Sequence, residues 1–243
     1  MNLSDLTMAQ FEAGLRETST AIVPLGSLEE HGGHLPLSTD TFQVVEVARR
    51  AAEQVPVFVA PPLHYGYCRS TRDHHGTVSI APETLRRHLF DVGAGLYRNG
   101  IRGLILASGH AGGIHVSSME EAAERLVEAF DDLEVAAFCE YRWAQEEARG
   151  IAETEDDGHA GEIETSRILA LNPSLVRGTS PEEYPRFEKP FIAREKRPEW
   201  PGGVWGDPSK ASKEKGEVLY ERSAARLAEL VRAMEGRLRA RHP

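Results

Sequence analysis

Apolar residues along this chain come either in short unbroken runs or in longer stripes with a helical period. Thr20-Ala-Ile-Val-Pro-Leu25, Val57-Phe-Val-Ala60, Gly103-Leu-Ile-Leu-Ala-Ser108 and Glu134-Val-Ala-Ala-Phe-Cys-Glu140 are the runs. Unbroken runs of this length predict strands buried on both faces. The stripes predict helices over 7–17 (Thr7 as N-cap, Phe11 and Leu15 on one face), 40–54 (Phe42, Val45, Val47, Ala48, Ala52) and 84–99, closed by Gly100. Two more follow, over 114–130 (Met119, Ala122, Ala123, Leu126, Val127, Phe130) and about 214–240 (Leu227, Leu230, Val231, Met234, Leu238). Strands alternating with helices predict an α/β fold with a mostly parallel sheet covered on both faces.

The remaining stretches lack period. Leu63 to Ile80 is rich in Tyr, Gly, Arg and His and reads as an irregular functional loop. Residues 142–157 are charged and helical at first, and 158–171 bring Ile163, Ile168 and Leu169 to one face. Residues 172–215 hold half of the prolines and two tryptophans, and predict a lid, an ordered flap or an interface. No linker separates two cores, so 1–243 is expected to be one domain.

Composition narrows the classes. The chain has 243 residues, 40% of them hydrophobic, and a net charge of −10. That balance argues against a nucleic-acid partner or an anionic membrane surface, both of which call for clustered Lys and Arg. Cys68 and Cys139 form neither a disulfide framework nor a C-x-x-C pair, and the amino terminus lacks the pattern of a signal peptide. No apolar stretch is long enough to span a bilayer. The expectation is a soluble cytoplasmic protein.

Candidate chemistry concentrates where predicted strands end. Glu29, Glu30, His31, His34 and Asp40 follow the first strand, and His110 follows the third. In a doubly wound sheet these exits share one edge. Glu29 and His31 point the same way on an extended segment. Imidazole with carboxylate suits zinc, iron(II) or manganese, and Asp40 is the natural bridge if the centre is dinuclear. His34 is one residue too many, left for support of a ligand or contact with substrate. Taken singly, each of these residues also reads as a solvated turn residue. Further on, Gly158-His-Ala-Gly-Glu-Ile-Glu-Thr-Ser166 offers His159, Glu162 and Glu164. The two glutamates cannot face one direction on a helix, so one completes the metal shell while the other orients a histidine or acts as a base. Acidic residues favouring a helix start account for the glutamates, but not for His159 or the glycines.

Three motifs together, P-L-G-S-L-E-E-H-G at 24–32, S-G-H-A-G-G at 108–113 and H-A-G-E-I-E-T-S at 159–166, resemble the creatininase family of metal amidohydrolases. A-S-K-E-K-G at 211–216 resembles that family's carboxyl-terminal motif. The resemblance implies a three-layer α/β/α fold and two divalent ions that hydrolyse a non-peptide or terminal amide C–N bond. It implies Glu29, His31, Asp40 and His110 as ligands, with Asp40 bridging, and His159 in proton transfer, assisted by Glu164 or Glu30. Creatininase carries a metal-binding Glu two residues after the ligand His of its G-H motif; here that position is Gly112. It has an apolar residue where this chain has Glu162, so Glu162 is expected to supply the missing ligand, with Glu164 as competitor. The Trp that precedes the third motif in creatininase is replaced by Glu155-Asp156-Asp157, so creatinine is not the expected substrate.

The stretch Tyr65 to Ser79 is similar to the archaeal branch that removes formate from a formamidopyrimidine ribonucleotide on the route to riboflavin and deazaflavin coenzymes. That resemblance implies a phosphorylated pyrimidine substrate, iron(II), and Arg69 and Arg72 as phosphate contacts; the alternative for both is a surface ion pair. The ligand set by itself accepts zinc or manganese equally. Rival readings are a creatinine amidohydrolase, a peptidase of the mycofactocin-precursor type, and a metal-binding protein without turnover. The family also implies a homo-oligomer, with 172–215 as a contact region.

Overall fold

The computed structural model describes residues 1–241. Four parallel strands, β1 (Thr20–Leu25), β2 (Phe58–Val59), β3 (Gly103–Ser108) and β4 (Glu134–Cys139), lie in the order β2-β1-β3-β4. Helices α1 (Met8–Gly14), α2 (Thr39–Ala52), α3 (Pro82–Arg98), α4 (Gly113–Ala129), α5 (Glu140–Glu147), α6 (Glu162–Leu171) and α7 (Lys213–Arg241) surround the sheet. Side-chain alternation along the strands divides the core in two. Val23, Leu104 and Leu106 pack with Leu85 and Leu89 of α3 and Met119 and Leu126 of α4. Ile22, Ile105 and Ala107 pack on the other face with Val44 and Val47 of α2 and Leu227 and Val231 of α7. Each such Val, Leu, Ile or Met side chain, fully buried, contributes about 1.5–3 kcal/mol. The result is the expected three-layer α/β/α arrangement.

Local signals set most boundaries. Thr7 and Gln10 form a reciprocal capping box at the start of α1. Pro82 opens α3, and Gly100, in the left-handed region at φ 99°, follows its end. The α2 stripe is rotated from the expected one: Val44 and Ala51 are buried, and Val45 and Ala52 only partly so. Val127, expected inside, is 47% exposed. The second strand shortens to two residues because it sits at the sheet edge and pairs only with β1. Residues 172–212 contain no strand and only short 3-10 turns, and they fold back across the sheet's carboxyl edge as an ordered strap. No helix among the described residues is long and apolar enough to cross a membrane.

The order in which strands are added reverses between β1 and β3, since β2 lies on one side of β1 and β3 on the other. That is the topological switch point, where the crevice outside the strand ends collects ligands. Leu25 pairs with Ser108, so both strands finish at the same level. The Gly109 N–H then donates to the Leu25 carbonyl at 2.8 Å. A Cβ at Gly109 would stand 2.2 Å from the Asp40 carbonyl oxygen, so only glycine lets the β3 exit press against the start of α2.

Candidate metal centre

The exits of β1 and β3 and the first turns of α2 and α6 bring Glu29, His31, Asp40, His110 and Glu164 into one buried group, each at most 7% exposed. Asp40 is at its centre. Its Oδ1 lies 3.1 Å from His31 Nε2, and its Oδ2 lies 3.0 Å from His110 Nδ1. Glu164 Oε1 is 3.7 Å from the same His31 nitrogen, and Glu29 Oε2 is 2.8 Å from the same His110 nitrogen. The two oxygens of one carboxylate therefore face two separate histidine–glutamate pairs.

The ring orientations are set from behind. His31 Nδ1 donates to the Glu29 carbonyl at 3.1 Å, and His110 Nε2 donates to the Tyr67 carbonyl at 3.1 Å. A carbonyl only accepts, so each of those nitrogens carries the proton. In the neutral ring the opposite nitrogen turns a lone pair toward carboxylate oxygens. A lone pair against two carboxylates is repulsive unless a cation lies between them: a proton or a metal ion. A ring N–H held by the backbone and a free nitrogen held among carboxylates is the usual arrangement of a metal-ligating histidine. The donor set fits divalent ions on these grounds. Ligand atoms of His31, Asp40 and Glu164 lie within 4.8 Å of one another, as do those of Glu29, Cys68 and His110, and of Glu29, His31 and His159.

Electrostatics tell the same story in protons. Burial disfavours the charged form of His31, but Asp40 and Glu164 outweigh it and hold its pKa well above the ordinary histidine value. His110 is likewise raised against burial, chiefly by Glu29. Burial works against the Asp40 carboxylate, and His31 and His110 reverse that and hold it well below its usual range. Among the described residues no Lys or Arg forms an ion pair with Glu29, Asp40 or Glu164, so histidine is the only cation this protein supplies there.

Around this group the cavity has a volume of about 250 Å³. His159 lines it; its Nε2 donates to the Glu30 carbonyl at 2.8 Å, which leaves Nδ1 as the nitrogen able to exchange a proton. Its ring lies against that of His31, tilted by 37° with centroids 4.2 Å apart. Burial and His31 depress the His159 pKa, yet the hydrogen bond to Glu30 and the charges of Glu29 and Glu30 leave it raised overall. Glu30 is buried behind His159, accepts the Gly32 N–H at 2.9 Å, and keeps Oε1 without a hydrogen-bond partner.

Several expected roles are redistributed. Glu162 does not reach the centre: its carboxylate accepts from Lys215 Nζ at 2.7 Å and from the N–H groups of Glu153 and Thr154 at 2.9 and 2.8 Å. Two helical positions later Glu164 faces the opposite way, into the centre. Its Oε2 accepts the Ala160 N–H at 2.5 Å, and Ala160 adopts a left-handed φ of 49° to present it. His34 does not touch the cavity; Ser180 Oγ and Thr165 Oγ1 occupy its two nitrogens at 3.0 and 2.8 Å. Arg69 and Arg72 do not line the cavity either. They donate to the Ala193 and Arg194 carbonyls and fasten the strap to the loop after β2.

The groups that support the ligands carry little signal in the sequence. Ser27 donates to Asp40 Oδ2 at 2.6 Å, and Thr71 donates to Glu29 Oε1. His115 accepts the Tyr67 N–H at 3.2 Å and so steadies the carbonyl that orients His110. Tyr141, Phe187, Lys196, Trp200 and Trp205 complete the cavity wall. Ser27 lies inside the first motif and was within reach of the sequence; the strap residues carry no period that would mark them.

Fold and site together define a metal-dependent amide hydrolase of the α/β/α class. The family model described as creatininase, creatinine amidohydrolase, matches residues 4–231. The chain belongs to the creatininase family. It is 29% identical to the creatinine amidohydrolase of Pseudomonas putida over 95% of both chains. It is 32% identical to the mycofactocin precursor peptide peptidase of Mycobacterium tuberculosis, over 85% of this chain and 82% of that one. A creatininase mutant of Zn-Zn type superposes with TM-score 0.85 at 26% identity, covering 96% of this chain and 98% of that one. A manganese form of creatininase gives TM-score 0.82 at 27% identity with the same coverage.

Proposed function

We propose that Glu29, His31, Asp40, His110 and Glu164 hold two divalent ions, bridged by Asp40, and that the protein removes formate from a formamidopyrimidine ribonucleotide 5'-phosphate. The observation that carries the two-ion reading is the placing of Asp40 Oδ1 and Oδ2 against separate histidine–glutamate pairs. Glu164 takes the ligand position in place of Glu162. Bound divalent ions supply the acidity that ionises a water near neutral pH and polarises an amide carbonyl. The protein's own groups do the rest. His159, tethered through Nε2, uses Nδ1 to deliver a proton to the departing ring amine. The Glu30 carboxylate, 3.6 Å from His159 Nε2, favours the protonated ring.

Three features support a small, planar, anionic substrate. The cavity is compact, aromatic rings line it, and Lys196 supplies a cation to its wall. Iron(II) is our choice of metal by resemblance to the archaeal deformylase branch; zinc and manganese suit the same donors. Protein loaded in turn with iron(II), zinc and manganese, incubated with the formamidopyrimidine ribonucleotide and assayed for formate, tests the reading. Formate release above the metal-free control is the expected result. Creatinine or peptide turnover without formate would reassign the substrate, and intact metal binding with no turnover of any of these would overturn the hydrolase reading.

A further inference from the structure

Among the described residues, Lys196 is the one Lys or Arg side chain that lines the cavity. Its Nζ donates to Ser70 Oγ at 2.9 Å and lies 4.3 Å from the centre of the Phe187 ring. It forms no ion pair with a carboxylate among the described residues, although the chain carries a net charge of −10. Ser70 accepts from Lys196, so its own O–H remains free to donate, and two N–H groups of the ammonium remain free as well. Burial and then the neighbouring Arg69 guanidinium lower the Lys196 pKa from its ordinary value, which marks two cations held close together. Arg69 spends Nη2 on the Ala193 carbonyl and keeps a buried Nη1 without a partner.

One cation, a hydroxyl and a wall of aromatic rings face a metal centre built of carboxylates. A substrate lying between them presents its amide to the acidic side and its negative charge to the other. We propose that Lys196, with Ser70, recognises a phosphate monoester at the end of the substrate remote from the scissile amide, so that the strap carries the specificity of this enzyme. Arg69 and Arg72 are positioning residues in this scheme: they hold the strap in register through the Ala193 and Arg194 carbonyls, two or three residues from Lys196. A phosphate, with three anionic or acceptor oxygens, matches the free N–H and O–H donors better than a neutral group does. The inference rests on taking this cavity as the substrate site of the amide hydrolase.

The test uses metal-loaded protein, with GMP and guanosine as stable probes that differ only in the phosphate. Wild type is expected to bind GMP about 10-fold or more tightly than guanosine by calorimetry, as charge-assisted hydrogen bonds require. In K196M that ratio falls to about one, K196R restores part of it, and guanosine affinity and metal stoichiometry stay unchanged. A ratio near one in wild type, or a wild-type ratio that survives in K196M, overturns the phosphate subsite. The second outcome would mean that the phosphate contacts the metal ions instead. The formate assay separates the two claims. A Lys196-dependent ratio without formate release removes the deformylase reading and leaves the subsite standing. Formate release with the ratio unchanged in K196M removes the subsite and leaves the deformylase.

Discussion

One turn of α6 presents Glu164 to the cavity and Arg167 to a second buried cluster, and the two clusters resolve their charge in opposite ways. Arg167 and Glu140 are both 0% exposed and pair through two parallel bonds, Nη1 to Oε2 at 3.0 Å and Nη2 to Oε1 at 2.9 Å. The guanidinium also lies over the Tyr220 ring, 4.8 Å from its centre. That cluster is neutral, its one guanidinium matched by one carboxylate. Around Asp40, three carboxylates converge on two histidine nitrogens, and no guanidinium or ammonium joins them. Burial alone therefore says little about role. What separates the two is whether the charges cancel within the chain: the first pair joins α5 to α6, while the second group is balanced by a cation it must bind.

Substitution at each centre sharpens that contrast. The largest effect is expected from Asp40→Asn, which takes the shared carboxylate from both proposed ions. Losing even a group behind the ligands costs about 10–100-fold in metal affinity or activity, so loss of the bridge should exceed about 100-fold in turnover. Metal content, measured by elemental analysis after gel filtration, should fall well below two ions per chain. Because His31 and His110 hold the Asp40 carboxylate well below its usual range, that charge stabilises the metal-free fold, and the metal-free variant should melt below metal-free wild type. Two retained ions would refute the bridging assignment.

Arg167→Met should do the reverse. It leaves Glu140 buried without its partner, and breaking such a pair by removing one member costs about 3–5 kcal/mol. Urea unfolding should register that loss while the folded fraction keeps its metal content. The double change Arg167→Met with Glu140→Leu should recover much of the stability, since apolar replacement of both members is often neutral. A single variant that lost metal in proportion to stability would show that the two clusters are not independent.

A finer cut lies within the metal centre. Thr71 donates only to Glu29, on the His110 side of Asp40. Thr71→Val should weaken one ion by about 10–100-fold and spare the other. A titration with a competing chelator should then show two affinities moving apart. Equal weakening of both would mean that the pairs do not act as separate halves.

How far these clusters were legible in the sequence follows the same division. The apolar runs of β1 and β3 located the sheet edge, and Glu29, His31, Asp40 and His110 lie close behind them in the chain, so proximity to a strand end was enough to gather them. Glu162 against Glu164 could not be decided that way. Both sit in the first turn of α6, and the choice is made by Lys215, which comes from the start of α7 to claim Glu162. Arg69 and Arg72 were placed in the correct loop, but their carbonyl partners at 193 and 194 belong to a strap without period or repeat. Arg167 and Glu140 gave no sign of pairing, since nothing in either local sequence predicts total burial of a charge.

Ala160 offers the smallest effect and the most discriminating one. It is buried, holds φ at 49°, and gives its N–H to Glu164 Oε2. A left-handed alanine costs roughly 1–2 kcal/mol, which Ala160→Gly would relieve. Against that stand the greater freedom of glycine in the unfolded chain, about 0.5–1 kcal/mol, and the loss of a buried methyl, about 0.8 kcal/mol. These offset one another, so stability should change by less than about 1 kcal/mol. The hold on Glu164 should nonetheless loosen, because glycine no longer confines the backbone that carries the donor. Metal affinity on the His31 side should drop by less than about 10-fold, and the His110 side should be untouched. Such a variant would separate ligand positioning from fold stability, where Arg167→Met moves stability alone. A gain of several kcal/mol with full metal affinity would instead mean that the strained turn plays no part in holding Glu164.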